Sequence, residues 1–301
     1  MEQAVARKVR FTYSTADQPF IQRAVIQAIE KLGGQRKLKK LYVRHQENVD
    51  RGANFFDSAI NLLRINVDFD GAALGQVPRT GPVLFISNHP YGVLDGVTLT
   101  WLALKVRPDT KVLANDVLCQ DANAAKNLLP VAFAPTREAR ETNVRSRHEA
   151  QKLLKEGGAV GIFPGGGVST SERAHRGTAM DLPWAPFTAK LVRMSEATVV
   201  PIYFTGQNSR LFQIASHLSL TLRLSLVFRE TARRIGTDLK VRVGKPIPFS
   251  EIAHLTERED MIRELRKRTY ALAQPQDIKG PVHDLHLRHG RIKGWKTGGG
   301  D

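Results

Sequence analysis

The chain has 301 residues, 42% hydrophobic and 25% charged, enough for a full core in one large domain with appendages and unlike a disordered composition. Lys and Arg number 45 against 29 Asp and Glu, a formal charge of +16 that calls for anionic partners. The basic residues are dispersed, with no zinc-finger or aromatic RNA-binding signature, so no nucleic acid partner is expected.

From Asp17, with Pro19 early, Ile21, Val25, Ile29 and Leu32 recur at near-helical spacing until Gly33-Gly34 stops the helix. A basic cluster follows, Arg36-Lys37-Leu38-Lys39-Lys40. Asn54 is then placed to cap a second helix whose apolar stripe is Phe55, Phe56, Ile60, Leu63 and Ile65, with Asp57 in the first turn. Residues 1–65 therefore read as an N-terminal amphipathic helical segment. Two such helices flanking a cationic cluster either lie on a membrane surface or pack on the main domain.

Over 66–250 the pattern changes to short β-type runs separated by helical windows. The runs are Ile65 to Phe69, Val83 to Ser87, Lys111 to Ala114, Val160 to Phe163, Val199 to Phe204, Leu222 to Phe228 and Leu239 to Val243. Helical windows lie near Val97 to Lys105, Val144 to Glu156 and Thr188 to Arg193. The alternation predicts an α/β domain with a mainly parallel sheet flanked by helices, behind an N-terminal helical preface. The closing runs are spaced like a hairpin or meander, which makes the sheet mixed.

Residues 251–301 read as a C-terminal helix, over Ile252 to Leu272, followed by a flexible basic tail. His283, His286 and His289 lack the carboxylates of a metal site and read as solvated tail, so no metal is expected. No apolar run reaches the length of a membrane span, and the N-terminus has no secretory pattern. A cytoplasmic location follows. The single cysteine, Cys119, excludes an internal disulfide and reads as a small core residue.

The chemistry starts where the apolar run Val83 to Ser87 ends, at Asn88-His89-Pro90-Tyr91-Gly92-Val93-Leu94-Asp95-Gly96. α/β folds place catalytic groups at such strand ends. In a continuous helix, residues six apart diverge by roughly 120 degrees, so His89 and Asp95 meet only if the turn folds back. Pro90 blocks regular helix and Gly92 tolerates positive φ, so the sequence permits this. Asp95 would then fix one imidazole nitrogen and leave the other as a general base.

Downstream, the run Ala159 to Phe163 enters Pro164-Gly165-Gly166-Gly167-Val168-Ser169, whose amides and hydroxyls suit an anion or oxyanion. Between the two turns, Phe133 to Arg140 is an apolar edge running into Arg137 and Arg140, and Val200-Pro201 comes later.

In this order, over roughly residues 81–205, the segments resemble the four blocks of the lysophospholipid (glycerolipid) acyltransferase superfamily. His89 and Asp95 match the first block with one extra residue, as in the hemolysin-like or aminolipid branch with a His-x5-Asp motif. Phe163-Pro164 match the third and Val200-Pro201 the fourth. The second-block arginine is Arg137 or Arg140. Gly165 stands where the family has a glutamate, leaving backbone amides and space in place of a carboxylate.

The resemblance implies an O-acyltransferase without a cofactor, whose donor substrate is acyl-CoA or acyl-ACP. His89 and Asp95 would be catalytic, Arg137, Arg140 and Ser169 would bind the acceptor, and Gly165, Gly166 and Gly167 would bind the oxyanion or donor. The implied partners are a lysolipid acceptor, an acyl carrier protein or CoA thioester and an anionic membrane surface, with the enzyme peripheral on the inner face of the cell membrane. The space at Gly165 favours a lyso-aminolipid. A 1-acylglycerol-3-phosphate acyltransferase making phosphatidic acid and a non-catalytic lipid- or carrier-binding protein are the alternatives.

Overall fold

A computed structural model describes residues 12, 20–50, 54–134 and 136–278. The Asp17 cap, Pro19 and the histidines of the tail lie outside the described residues, and of Ile21, Val25 and Leu32 only the backbone is described. In chain order the elements are α1 Phe20–Leu32, α2 Gln35–Asp50, α3 Phe55–Leu63, β1 Asn66–Phe69, α4 Gly71–Gly75, β2 Val83–Ser87, α5 Val93–Val106 and β3 Lys111–Asn115. There follow α6 Ala122–Ala125, β4 Leu128–Val131, α7 Arg137–Lys155, β5 Ala159–Ile162, β6 Thr170–Arg173, β7 Arg176–Met180, α8 Phe187–Ser195 and β8 Thr198–Phe204. The chain continues through α9 Arg210–Leu218, α10 Leu220–Arg233, β9 Asp238–Val243, α11 Phe249–Ile252 and α12 Arg258–Tyr270.

Seven strands form one sheet in the order β1-β9-β8-β2-β5-β3-β4, and β6 and β7 form a separate antiparallel pair. Every neighbour in the large sheet is parallel except β8 and β9, so the sheet is mixed and mainly parallel, as the sequence pattern predicts. β8 and β9 are not a hairpin, because α9 and α10 intervene.

Central β2 shows why its sequence lacks polar alternation: all five residues are buried. Val83 and Phe85 join the core under α3, α4 and α5, while Leu84 and Ile86 join the opposite core under α7, α8 and α12. Each such full burial contributes about 1.5–3 kcal/mol. Helices on both faces of a parallel sheet leave one end for chemistry, and β2, β5, β8, β3 and β4 all bring their C-terminal ends there.

Two elements correct the sequence reading. Leu222 to Phe228 is expected as a strand because leucine alternates with polar residues, yet it lies inside α10. The buried set there, Arg223, Ser225, Leu226, Val227, Phe228, Glu230 and Thr231, includes charged and polar residues, so apolar patterning alone conceals the helix. The basic cluster Arg36 to Lys40, read as flanked by two helices, is itself helical and forms the first turns of α2. Leu38, Leu41, Tyr42 and His45 of α2 turn inward at helical spacing, and the lysines and Arg36 face out.

α1 packs on α10, and α2 on α3 and α10, so the N-terminal helices rest on the main body. α3 has its expected cap: Asn54 Oδ1 accepts from the amides of Phe56 and Asp57 at 2.9 and 3.3 Å. The C-terminal helical window is broken between α11 and α12. β4 and the β6–β7 hairpin have no counterpart in the sequence reading.

Candidate active site

β2 ends at Ser87, and the next residue splices it to β8. Asn88 Nδ2 donates to the Phe204 carbonyl at 2.9 Å, and Asn88 Oδ1 accepts from the Phe204 amide at 2.7 Å. Backbone pairing is thus extended by one side chain, and His89 leaves the sheet from a fixed point.

The fold-back is present. Gly92 has φ +78, a conformation that disfavours a side chain, and α5 starts immediately after it. Asp95, in the first turn of α5, accepts from the Tyr91 and Gly92 amides at 2.7 and 2.9 Å through Oδ2. The same oxygen lies 3.1 Å from His89 Nδ1. That is within hydrogen-bond distance, although the ring N–H does not point squarely at the oxygen. Asp95 therefore caps the helix and faces the histidine at once.

Burial is the larger influence on Asp95 and pushes its carboxyl above the usual range, against the hydrogen bonds and the histidine charge that favour ionisation. His89 stacks on Phe163, the residue just past β5, with ring centroids 4.1 Å apart. Its side chain is 17% exposed while Nδ1 is buried, so the Nε2 edge is the part left to meet a substrate.

The glycine turn after β5 is adjacent, since β5 pairs with β2 in parallel. The Gly166 amide closes the turn by donating to the Phe163 carbonyl at 2.9 Å, so it is not free for an oxyanion, contrary to the sequence expectation. The amides of Gly165 and Gly167 have no hydrogen-bond partner among the described residues. Ser169, expected at the acceptor, is buried: its amide donates to the His89 carbonyl at 2.8 Å and its hydroxyl to Asp181 Oδ1 at 2.5 Å.

Asp181, at the end of the β6–β7 hairpin, is one residue that sequence reasoning missed. Its Oδ1 also accepts from the His89 amide at 3.0 Å, and Oδ2 accepts from Trp184 Nε1 at 2.9 Å. A Cβ on Gly165 would lie 2.8 Å from Asp181 Cβ. The room expected at Gly165 is therefore occupied by a carboxylate from elsewhere in the chain. A lone Asp before Leu-Pro-Trp carries no signal of this long-range role. Another missed residue is Arg223, buried in α10, which donates to the Val168 carbonyl and, at 3.0 Å, to the Thr170 hydroxyl. Desolvation lowers its guanidinium to about 10.

Arg137 and Arg140 open α7 at the end of β4. They share the reactive end of the sheet but stand three strands from β2, roughly 14 Å at ~4.8 Å per strand. Both are exposed, and Arg137 pairs with Glu141 at 2.8 Å. The structure brings neither into contact with the His89 turn.

An apolar cavity of about 150 Å³ begins one residue past Asp95, between α2, α3, α5, α6 and α10. Leu41, Phe55, Ala59, Val97, Leu118 and Ala124 line it, with Tyr42 and Asp121 at its polar edge joined by a 2.6 Å hydrogen bond. Among the described residues no group of His, Cys, Asp and Glu side chains is arranged to hold a metal ion.

The model of a family described as acyltransferase matches residues 54–279. A lyso-glycine lipid O-acyltransferase of Phocaeicola vulgatus is 26% identical over 242 residues, 76% of this chain and 81% of that protein. A lyso-glycine lipid O-acyltransferase of Bacteroides thetaiotaomicron is 24% identical over 254 residues, 80% of this chain and 87% of that one. The crystal structure of the 1-acyl-sn-glycerophosphate (LPA) acyltransferase PlsC from Thermotoga maritima has a TM-score of 0.45 and 14% identity, with 86% of this chain and 82% of that chain covered.

Proposed function

This chain belongs to the acyltransferase family, within the lysophospholipid acyltransferase superfamily, and from that premise we propose that it moves a fatty acyl group from an acyl thioester to the hydroxyl of a lyso-aminolipid in membrane lipid biosynthesis. The observation that carries the reading is the 3.1 Å approach of His89 Nδ1 to buried Asp95, which leaves the Nε2 edge as the part of the ring able to meet a substrate.

Nε2 of His89 takes the proton of the acceptor hydroxyl as that oxygen attacks the thioester carbonyl. Asp95 steadies the imidazolium through Nδ1. The C–O bond forms, the C–S bond breaks, and the proton passes from His89 to the departing thiolate. No acyl-enzyme is required, and no cofactor takes part. The free amides of Gly165 and Gly167 are the donors assigned to the oxyanion, since they need no reorganisation as charge develops. The cavity beyond Asp95 takes an acyl chain, consistent with its lining.

The lyso-aminolipid acceptor is supported by the names of the two relatives and by the third-block turn. That turn offers backbone amides where a glutamate would hold a phosphate-binding arginine, and Asp181 is committed to His89, Ser169 and Trp184. Arg137 and Arg140 remain assigned to the acceptor's outer end. The donor is acyl-CoA or acyl-ACP, both acidic, which suits the +16 chain.

The test is a competition assay in which purified protein receives one acyl thioester and equal amounts of lyso-glycine lipid and lysophosphatidic acid. Preferential acylation of the lyso-glycine lipid is expected. Much higher kcat/KM with lysophosphatidic acid would replace the acceptor assignment with a phosphatidic acid-forming one, and no transfer to either would reject the catalytic reading.

A further inference from the structure

α9 has the reverse of an ordinary surface helix. Its inner face, Phe212, Gln213, Ala215 and Ser216, is buried, yet three of the four residues exposed on its outer face are apolar, Leu211 at 47%, Ile214 at 39% and Leu218 at 68% exposed, the fourth being His217. A helix packed on a soluble body normally turns polar residues outward. Spacing of three and four places these three side chains on one crest, and the helix is held firmly. Ser209 caps it by accepting from the Phe212 amide at 3.3 Å, while its own amide and hydroxyl donate to Glu230 at 2.8 and 2.7 Å.

α9 is tied to the segment that leads to the His89 turn. Gln213 Oε1 accepts from the Ser171 amide at 2.9 Å, and His217 Nε2 lies 2.8 Å from the Ser171 carbonyl. Ser171 is two residues from Ser169, whose amide holds the His89 carbonyl. Beside α9 the tip of the β6–β7 hairpin exposes Arg173, His175 and Arg176, with half-buried Glu172 as its acidic member, and Arg210 donates to the Gly177 carbonyl at 3.0 Å.

We propose that Leu211, Ile214 and Leu218, with the cationic hairpin tip carrying Arg173 and Arg176, form a docking face for an anionic lipid bilayer, setting the His89 mouth at the membrane surface. Aliphatic side chains at the crest gain by entering the headgroup boundary, and basic residues beside them meet anionic headgroups. An acidic carrier protein would satisfy the arginines but offers no comparable gain to a crest of three aliphatic side chains. α2 shows the converse: Arg36, Lys37, Lys39 and Lys40 are exposed there, but among its described side chains Val43 is the exposed large apolar one. The inference rests on the lipid-acceptor reading, and its test separates the two.

The full chain is floated with phosphatidylcholine vesicles with and without phosphatidylglycerol. Compared are wild type, the triple variant Leu211→Ser/Ile214→Ser/Leu218→Ser, the single variant Leu218→Ser, and a variant with Arg36, Lys37, Lys39 and Lys40 changed to Ser. Wild type should float with the anionic vesicles. The triple variant should lose about tenfold or more of this binding, and Leu218→Ser part of it, while transfer to a short-chain, water-soluble acceptor stays within about twofold of wild type. Should the triple variant misfold by circular dichroism, Leu218→Ser alone decides. Wild-type binding by the α9 variants, loss confined to the α2 variant, or weakened carrier-protein binding without weakened vesicle binding would each overturn the proposal. Vesicle binding of wild type that depends on α9, without acyl transfer to any acceptor, would sustain the docking face and reject the enzyme reading.

Discussion

Asp181 fills the volume that a side chain on Gly165 would need: a Cβ on Gly165 would lie 2.8 Å from Asp181 Cβ. The clash is with the root of a buried side chain that is anchored by the His89 amide, the Ser169 hydroxyl and the Trp184 indole, so it does not swing away cheaply. Restoring a side chain at 165 therefore displaces the group that holds the backbone of the catalytic histidine.

Gly165→Ala should cost about 1–3 kcal/mol of stability by overpacking and, by shifting His89, lower kcat by about 100-fold. Denaturant unfolding and initial rates measure the two effects. Unchanged stability together with unchanged kcat would contradict the role given to Asp181.

Asp95 makes stability depend on pH. Burial raises its folded-state carboxyl above the ordinary 3.8, so between 3.8 and that raised value the folded chain binds more protons than the unfolded chain. Stability from this group is fully present below 3.8 and is lost as pH rises through the folded value. Asp95→Asn, whose amide oxygen still caps α5, should remove that slope. The stability of wild type relative to Asp95→Asn, by denaturant titration, should fall across this window; a constant difference would contradict it.

Much of this was legible because local chemistry and tertiary role agree. A wholly apolar β2, the Asn54 cap and the Gly92 turn each serve one purpose that neighbours in sequence express. His89 and Asp95 were legible for the same reason, since they sit within one turn. Asp181 was not, because its partners are 92 residues away at His89 and 12 at Ser169. α10 was misread because its inward face includes Arg223 and Glu230, charged residues that an apolar pattern counts as surface. The cavity was invisible because residues of five separate helices line it.

If that cavity holds the acyl chain, narrowing it should change chain-length preference. Ala59→Phe adds bulk to its wall. Competition between short and long acyl thioesters should shift about tenfold toward the shorter chain in relative kcat/KM. An unaltered ratio would place the acyl chain elsewhere.

Cys119 is partly buried against the core, and burial first, then Asp116, pushes its thiol up to about 12. Alkylation at pH 8 should be about a thousandfold slower in the folded chain than in urea, given an ordinary value near 9.0. Mass spectrometry over a time course reads this directly, and rapid labelling of the folded chain would show that the thiol is ionised or exposed.

The rate of His89→Ala tests the dyad most directly. Purified wild type and His89→Ala, matched for folding by circular dichroism, are given the same acyl thioester and lyso-aminolipid, and the acylated product is measured over time. General-base removal predicts a loss of about 100- to 10,000-fold with the fold intact. A His89→Ala protein that forms product at the wild-type rate would contradict catalysis by the His89–Asp95 pair.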